Sequence, residues 1–129
     1  MEPMNNPYTI YLDDQDQFVS VTIHRSATVE DRRAARIASL RLCREQNVSR
    51  LLVDLREHTP AENATIKCID FGAELASESR GIRLAHVMPK DADSRKDVLL
   101  ALAVGKLRGA AAAEFETVGE AKDWLLRPA

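Results

Sequence analysis

The chain has 129 residues, of which 45% are hydrophobic and 29% are charged, a composition typical of one globular domain. Lys and Arg number 18 against 20 Asp and Glu, so the formal net charge is -2 and no basic excess is present to neutralise a row of phosphates. We therefore expect one hydrophobic core and no nucleic-acid partner.

The first residues of the chain, its apolar runs and its two cysteines narrow the possible classes of protein further. The chain begins without the basic segment and apolar run of a secretory signal, and its longest apolar run, residues 98–104, is far shorter than the roughly 20 residues that span a bilayer. We expect residues 1–7 to be disordered or extended, residues 8–129 to form one domain, and the protein to be cytoplasmic without a membrane span. Cys43 and Cys68 lack the close spacing of zinc or redox sites and are predicted to be free, packed thiols.

The first elements are predicted to be a hairpin and a helix. Residues 8–12 and 18–24 are rich in β-branched and aromatic side chains and are separated by a polar segment, as in a hairpin that opens a sheet. Thr28 is followed three residues later by Asp31, the spacing of a capping box. A helix is predicted from there to about Asn47.

The middle of the chain predicts a buried strand and a second helix. Residues 51–55 are almost continuously apolar, which is typical of a parallel strand covered on both faces. The segment 59–62, Thr-Pro-Ala-Glu, combines a capping hydroxyl, a Pro at the first helical position and a Glu at the third. The helix is predicted to reach about Ser77, and four residues are predicted on its inner side: Ile66, Ile69, Ala73 and Ala76.

The remaining elements are predicted to be strand, helix, strand and helix. Residues 82–88 form a strand, Asp93 or Ser94 caps a helix through Lys106, and Gly109 provides its left-handed ending. Residues 112–116 form the last strand, and Thr117 caps a terminal helix that contains Trp124. The predicted fold is therefore α/β with the order ββαβαβαβα, a mostly parallel sheet and one antiparallel edge strand.

This order, joined to particular residues, resembles the SpoIIAA-like branch of the STAS domains. The residues that carry the resemblance are the strands Leu51–Leu55 and Ile82–Val87 and the ending Phe115-x8-Trp124-Leu125 with Glu120-Ala121 before the Trp. The order of elements is similar over about residues 8–127. The resemblance implies a βα superhelix, a role in protein–protein interaction or small-ligand binding, and usually no catalysis.

The phosphorylation switch of the antagonists in that family is not implied here. The stretch equivalent to their D-S-S-G-type motif is Glu62-Asn63-Ala64-Thr65, which has neither the serine pair nor the glycine. Thr65 lies near the place, but a Thr in the first turns of a helix more often faces solvent or bonds to the main chain. Regulatory phosphorylation of Thr65 is the less favoured interpretation.

Three histidines follow or end three successive predicted strands. In open α/β sheets ligands bind at the carboxyl ends of the strands, so His24, His58 and His86 could converge there with Arg25, and Asp54 could orient His58. The opposing interpretation is that His86 alternates with apolar residues and is a buried, hydrogen-bonded core histidine. We predict no bound metal, cofactor or catalytic residue, because the chain also lacks G-x-S-x-G, Walker and G-x-G-x-x-G motifs.

The third helix is apolar around much of its circumference, so more than one side must be covered. We expect it to lie between the sheet and the Trp124 helix; alternatively, its outer face forms a dimer contact or lines an apolar ligand pocket. The residues assigned to such an interface are Leu99, Leu100, Leu102 and Ala103. The sequence thus predicts a non-enzymatic interaction module, acting as a homodimer or on another cytoplasmic protein, or else a binder of a small apolar or anionic ligand.

Overall fold

A computed structural model describes residues 6–59 and 64–128 of the chain. The strands are β1 (Tyr8–Asp13), β2 (Phe18–Ile23), β3 (Arg50–Asp54), β4 (Arg83–Val87) and β5 (Ala111–Phe115). The helices are α1 (Val29–Glu45), α2 (Ala64–Glu78), α3 (Ala92–Leu107) and α4 (Val118–Leu126). The predicted order ββαβαβαβα is confirmed.

The sheet is mixed, and its strands follow one another in chain order from β1 to β5. β1 pairs antiparallel with β2, and each later pair is parallel. The predicted α/β class, the mostly parallel sheet and the antiparallel edge strand are therefore confirmed.

Alternating side chains place the helices on two faces of the sheet. Leu51 and Leu84 belong to the same hydrophobic cluster as buried residues of α1, α2 and α3. Leu52 and Ala85, one position further along each strand, pack instead with Ala121 and Leu125 of α4. Three helices therefore cover one face and α4 covers the other.

This layering corrects the expected position of the third helix. α4 packs on β3, β4 and β5, whereas α3 packs beside α2, so α3 does not lie between the sheet and α4. The close approach of α3 to α2 depends on Gly72, because a Cβ at that position would lie 2.8 Å from Val104 Cβ. The second side of α3 is thus covered by its neighbour on the same face.

The helix caps explain where three of the helices begin. Thr28 accepts a hydrogen bond from Asp31 N, and Asp31 accepts one from Thr28 N, which completes the predicted capping box. Thr117 caps α4 as predicted. α3 begins earlier than predicted, because Asp91 accepts from the backbone N–H of Ser94 and is its cap. The predicted cap of α2 is Thr59, whose carbonyl and hydroxyl oxygens accept from Arg32 Nη2; the rest of the predicted capping segment, residues 60–62, lies outside the described residues.

The inner side of α2 also differs from the prediction. Of the four residues predicted on that side, Ile66 and Ile69 are exposed, Ala73 is half-buried and Ala76 is buried as predicted. Leu75, which was not among them, is also buried. In the part of the chain that the structure describes, no helix is long and apolar enough to cross a membrane.

Candidate functional site

A cavity of about 110 Å³ lies between the sheet and the helices α1, α2 and α3. Its floor includes Val53 and His86, which are paired neighbours on β3 and β4. Small side chains such as Ala35 and Ala101 line the helical side. The space exists because α2 packs closely on α3, while α1 meets α2 through long arginine side chains.

Buried polar atoms without partners are concentrated at this cavity. Among the described residues, five buried side-chain N or O atoms make no hydrogen bond, and four of them belong to residues that line it. These four atoms are Arg32 Nε, Arg36 Nη1, His58 Nδ1 and His86 Nδ1. An unsatisfied buried polar group costs about 1–3 kcal/mol, and native proteins contain few of them. Four such atoms at one cavity make it the candidate binding site in the described part of the chain.

Arg36 is held in place by α2. Its Nε donates to Glu78 Oε1 at 2.9 Å and its Nη2 to Glu74 Oε1 at 3.0 Å, and its guanidinium lies 4.6 Å from the centre of the Phe71 ring. The side chain is only 4% exposed. The two carboxylates compensate the charge of Arg36, while its Nη1 remains free to donate.

The two histidines of the cavity are neutral at pH 7. Burial lowers the pKa of His86 to about 4, and the positive charge of Lys106 acts in the same direction. The backbone of Ala113 favours the protonated form, but Nδ1 makes no hydrogen bond. Burial also lowers the pKa of His58 to about 4, with Arg32 adding to the effect. A neutral imidazole has one donor and one acceptor nitrogen, so each ring can orient a polar group of a ligand.

One end of the cavity carries an excess of positive charge. Arg32 donates through Nη2 to the carbonyl and hydroxyl oxygens of Thr59, and it forms no ion pair with a carboxylate among the described residues. Lys67 and Asp97 also line the cavity. Burial lowers the pKa of Arg32, and the charge of Asp97 partly opposes this. Two cations, one of them the exposed Lys67, and one carboxylate therefore line the cavity.

Only two of the five residues predicted to bind a ligand line the cavity. These are His58 and His86, and the structure does not bring His24 to them. His24 instead accepts or donates a hydrogen bond of 2.8 Å with Thr9 Oγ1 and lies 3.5 Å from a carboxylate oxygen of Glu57.

The other two predicted binding residues are also placed away from the cavity. Arg25 is exposed, and its backbone N–H donates to Glu57. Asp54 is buried but binds the backbone N–H and guanidinium of Arg56. It therefore does not orient His58.

The predicted interface residues of α3 divide between surface and core. Leu99 and Ala103 are exposed and Leu100 is half-buried, whereas Leu102 belongs to the hydrophobic core. Leu102 is therefore unavailable to a partner. Thr65 is exposed near the start of α2.

Cys68 lines the cavity and is half-buried, and burial raises the pKa of its thiol. Cys43 is buried, and burial raises the pKa of its thiol to about 11. Both cysteines are free, as predicted. Neither thiol is activated as a nucleophile by this environment.

Arg32 and Arg36 are the site residues that the sequence did not reveal. They are four residues apart on α1, a spacing that places them on one face. Three further arginines of α1, namely Arg33, Arg41 and Arg44, are exposed, and they obscure that signal. The carboxylates Glu74 and Glu78 have the same spacing on α2, which is the matching pattern that could have identified the arginine face.

Among residues 6–59 and 64–128, no group of three or more His, Cys, Asp or Glu side chains is arranged to hold a metal ion. Comparison of the chain with models of protein families, with curated proteins and with solved structures found no match in any of the three.

Proposed function

We propose that the protein binds a small, largely apolar molecule in the cavity between α1, α2, α3 and the sheet, and does no chemistry on it. The observation that carries this proposal is the group of four unpartnered polar atoms around an otherwise apolar space. Apolar walls with a few placed polar groups are the usual form of a ligand pocket.

The volume of the cavity limits the size of the ligand. A cavity of about 150 Å³ lined by Leu, Ile and Phe accommodates benzene, and this one has about 110 Å³. The part of the ligand that enters is therefore about as large as one small ring or a short branched chain.

The protein in this proposal has a STAS-like fold and acts as a sensor or carrier. The order of elements and the antiparallel edge pair support that assignment. Among the described residues that line the cavity, no thiol is activated and no acid and base are paired, which supports binding without turnover.

The test combines native mass spectrometry with a cavity-filling variant. Freshly purified protein is compared with its denatured mass, and the methyl resonances of Val53, Leu75 and Val98 are followed by NMR as toluene or benzoate is added. We expect shifts at these methyl groups in the wild type and in Cys68→Ala, but not in Cys68→Phe, whose ring occupies the space. No copurified mass and no shift with either probe would overturn the proposal.

A second candidate function, self-association, is favoured by the outer surfaces of α2 and α3. Ile66, Ile69, Leu99 and Leu107 are all exposed on these neighbouring helices, and exposed apolar patches commonly mark interfaces. The occupant we infer is a second copy of this chain. In sedimentation equilibrium we expect a dimer that Leu99→Glu weakens and Val118→Glu on α4 does not; a monomer at every concentration would contradict this.

A further inference from the structure

The polar atoms at the cavity also indicate what chemical group the ligand carries. Arg36 is already neutralised by Glu74 and Glu78, so it offers a hydrogen bond more than a charge. Among the described residues, the hydrogen-bond partners of Arg32 are the neutral oxygens of Thr59. Arg32 is half-buried, and a partly desolvated cation without a carboxylate in its hydrogen bonds is poorly compensated, so an anionic group of the ligand would supply charge there.

The balance of charges among the residues that line the cavity favours a ligand with a single negative charge. The half-buried Arg32 and the exposed Lys67 line the cavity with two positive charges and Asp97 with one negative charge, which leaves an excess of one positive charge that comes from the solvent-exposed lysine. A carboxylate matches both this excess and the planar donor geometry of a guanidinium. A doubly charged phosphate ester would bring one negative charge more than the site balances.

The remaining walls define the rest of the molecule. Phe71, Leu75 and Val98 line the cavity beyond the arginines, and His86 presents an unpartnered nitrogen on the floor. From this geometry we infer that the cavity binds a monocarboxylic acid with a compact ring or branched body, its carboxylate at Arg32 and its apolar body between Phe71 and the sheet. This inference rests on the proposed ligand-binding function and adds the ligand's class.

Among the described residues, Arg32 Nε and His58 Nδ1 are unpartnered, and the two side chains are close enough for the charge of Arg32 to add to burial in lowering the pKa of His58. In the proposed arrangement the carboxylate accepts from Arg32 Nε, and the neutral His58 ring donates a second hydrogen bond. A neutral imidazole has one donor nitrogen, so this arrangement uses the tautomer of His58 that carries its proton on Nδ1.

The test compares two ligands of nearly equal shape on the intact protein. Benzoate and the neutral benzyl alcohol are titrated separately at pH 7 by isothermal titration calorimetry, at low and at high salt. We expect benzoate to bind at least tenfold more tightly and to lose part of that advantage at high salt, because the charge interaction is screened.

A substitution at Arg32 tests whether the carboxylate of the ligand binds there. Arg32→Met keeps a long apolar side chain but removes the charge, and we expect it to reduce benzoate affinity at least tenfold and to leave benzyl alcohol affinity unchanged. Arg41→Met, at an exposed arginine of the same helix, is the matched control and keeps the benzoate affinity. Circular dichroism establishes that each variant is folded.

The outcomes separate this inference from the proposed function. Equal affinity for benzoate and benzyl alcohol in the wild type would overturn the carboxylate inference and leave the ligand-binding function standing. Binding of neither probe would overturn both. The comparison of the two ligands uses the wild-type protein and so does not depend on the folding of any variant. Unchanged benzoate affinity in a folded Arg32→Met protein would overturn the assignment of the ligand's carboxylate to Arg32.

Discussion

Arg36 on α1 and Glu78 on α2 are joined by a hydrogen bond of 2.9 Å between Nε and Oε1, and the arginine is the buried member of the pair. Its side chain is 4% exposed, against 39% for Glu78. This difference in exposure decides which substitution lowers the free energy of unfolding more. The carboxylate retains much of its hydration when its partner is lost, whereas the guanidinium does not.

Removing the carboxylates is expected to destabilise the protein more than removing the arginine. The double variant Glu74→Gln/Glu78→Gln leaves a buried cation without a carboxylate and should lower the free energy of unfolding by ~3 kcal/mol. Arg36→Met retains apolar contact with Phe71 and should cost ~1 kcal/mol, because the glutamates stay hydrated. Urea denaturation measures both, with the exposed Glu45→Gln as the control. A larger loss for Arg36→Met would contradict this argument.

Gly72 is expected to tolerate no side chain. A Cβ there would lie 2.8 Å from Val104 Cβ and would also meet the carbonyl oxygen of Ala101, so Gly72→Ala forces α2 away from α3. We expect a loss of ~2 kcal/mol in urea denaturation despite the higher helix propensity of Ala. Gly119→Ala in α4 is the control, since its Cβ would lie 3.9 Å from the nearest atom. Equal effects of the two substitutions would show that the helix contact is not tight.

The elements themselves could be predicted because their signals are local. The signals are the alternation in Phe18–Ile23, the almost continuous apolar run of residues 51–55 and the caps Thr28 and Thr117, each of which depends on a few neighbouring residues. The buried face of each helix was harder to predict. Ile66 and Ile69 are exposed although they are apolar, and the burial of α2 depends on packing against α3, as at Gly72 and Val104, between residues distant in sequence.

The site could be predicted only in part for the same reason. His58 and His86 follow from the general position of ligands at the carboxyl ends of strands. Arg36 was missed because a buried arginine is uncommon, and its burial here depends on Glu74 and Glu78 of the next helix. The half-buried Arg32 was missed because its contact with Thr59 joins residues distant in sequence. The cavity arises from the spacing between α1 and α2, which no single segment specifies.

The capping box of α1 provides a measurable local contribution. Thr28→Ala removes the oxygen that accepts from Asp31 N at 3.0 Å, and we expect it to lower the free energy of unfolding by ~1 kcal/mol. Thr28→Ser keeps the hydroxyl and should remain within ~0.5 kcal/mol of the wild type. Thermal or urea unfolding of the three proteins measures the difference. If Ala and Ser behaved alike at this position, the hydroxyl would not be the stabilising group.

His86 is expected to make the protein less stable as the pH falls from about 6.5 to 4. Its pKa is about 4 in the folded protein, chiefly because of burial, and about 6.5 in an unfolded chain. Between these values the unfolded chain binds a proton that the folded protein does not, so protonation favours unfolding. The effect is absent above this range and is complete below it.

At pH 4.5 the contribution of His86 is a loss of ~2 kcal/mol relative to pH 7, and His58 acts in the same direction. Urea denaturation at the two pH values measures the total. In His86→Leu the difference between pH 7 and pH 4.5 should shrink by about that amount, whereas the remaining dependence should persist until His58 is also replaced. An unchanged difference in His86→Leu would show that the ring titrates alike in the folded and unfolded chains, and would remove the basis for treating it as a neutral group on the cavity floor.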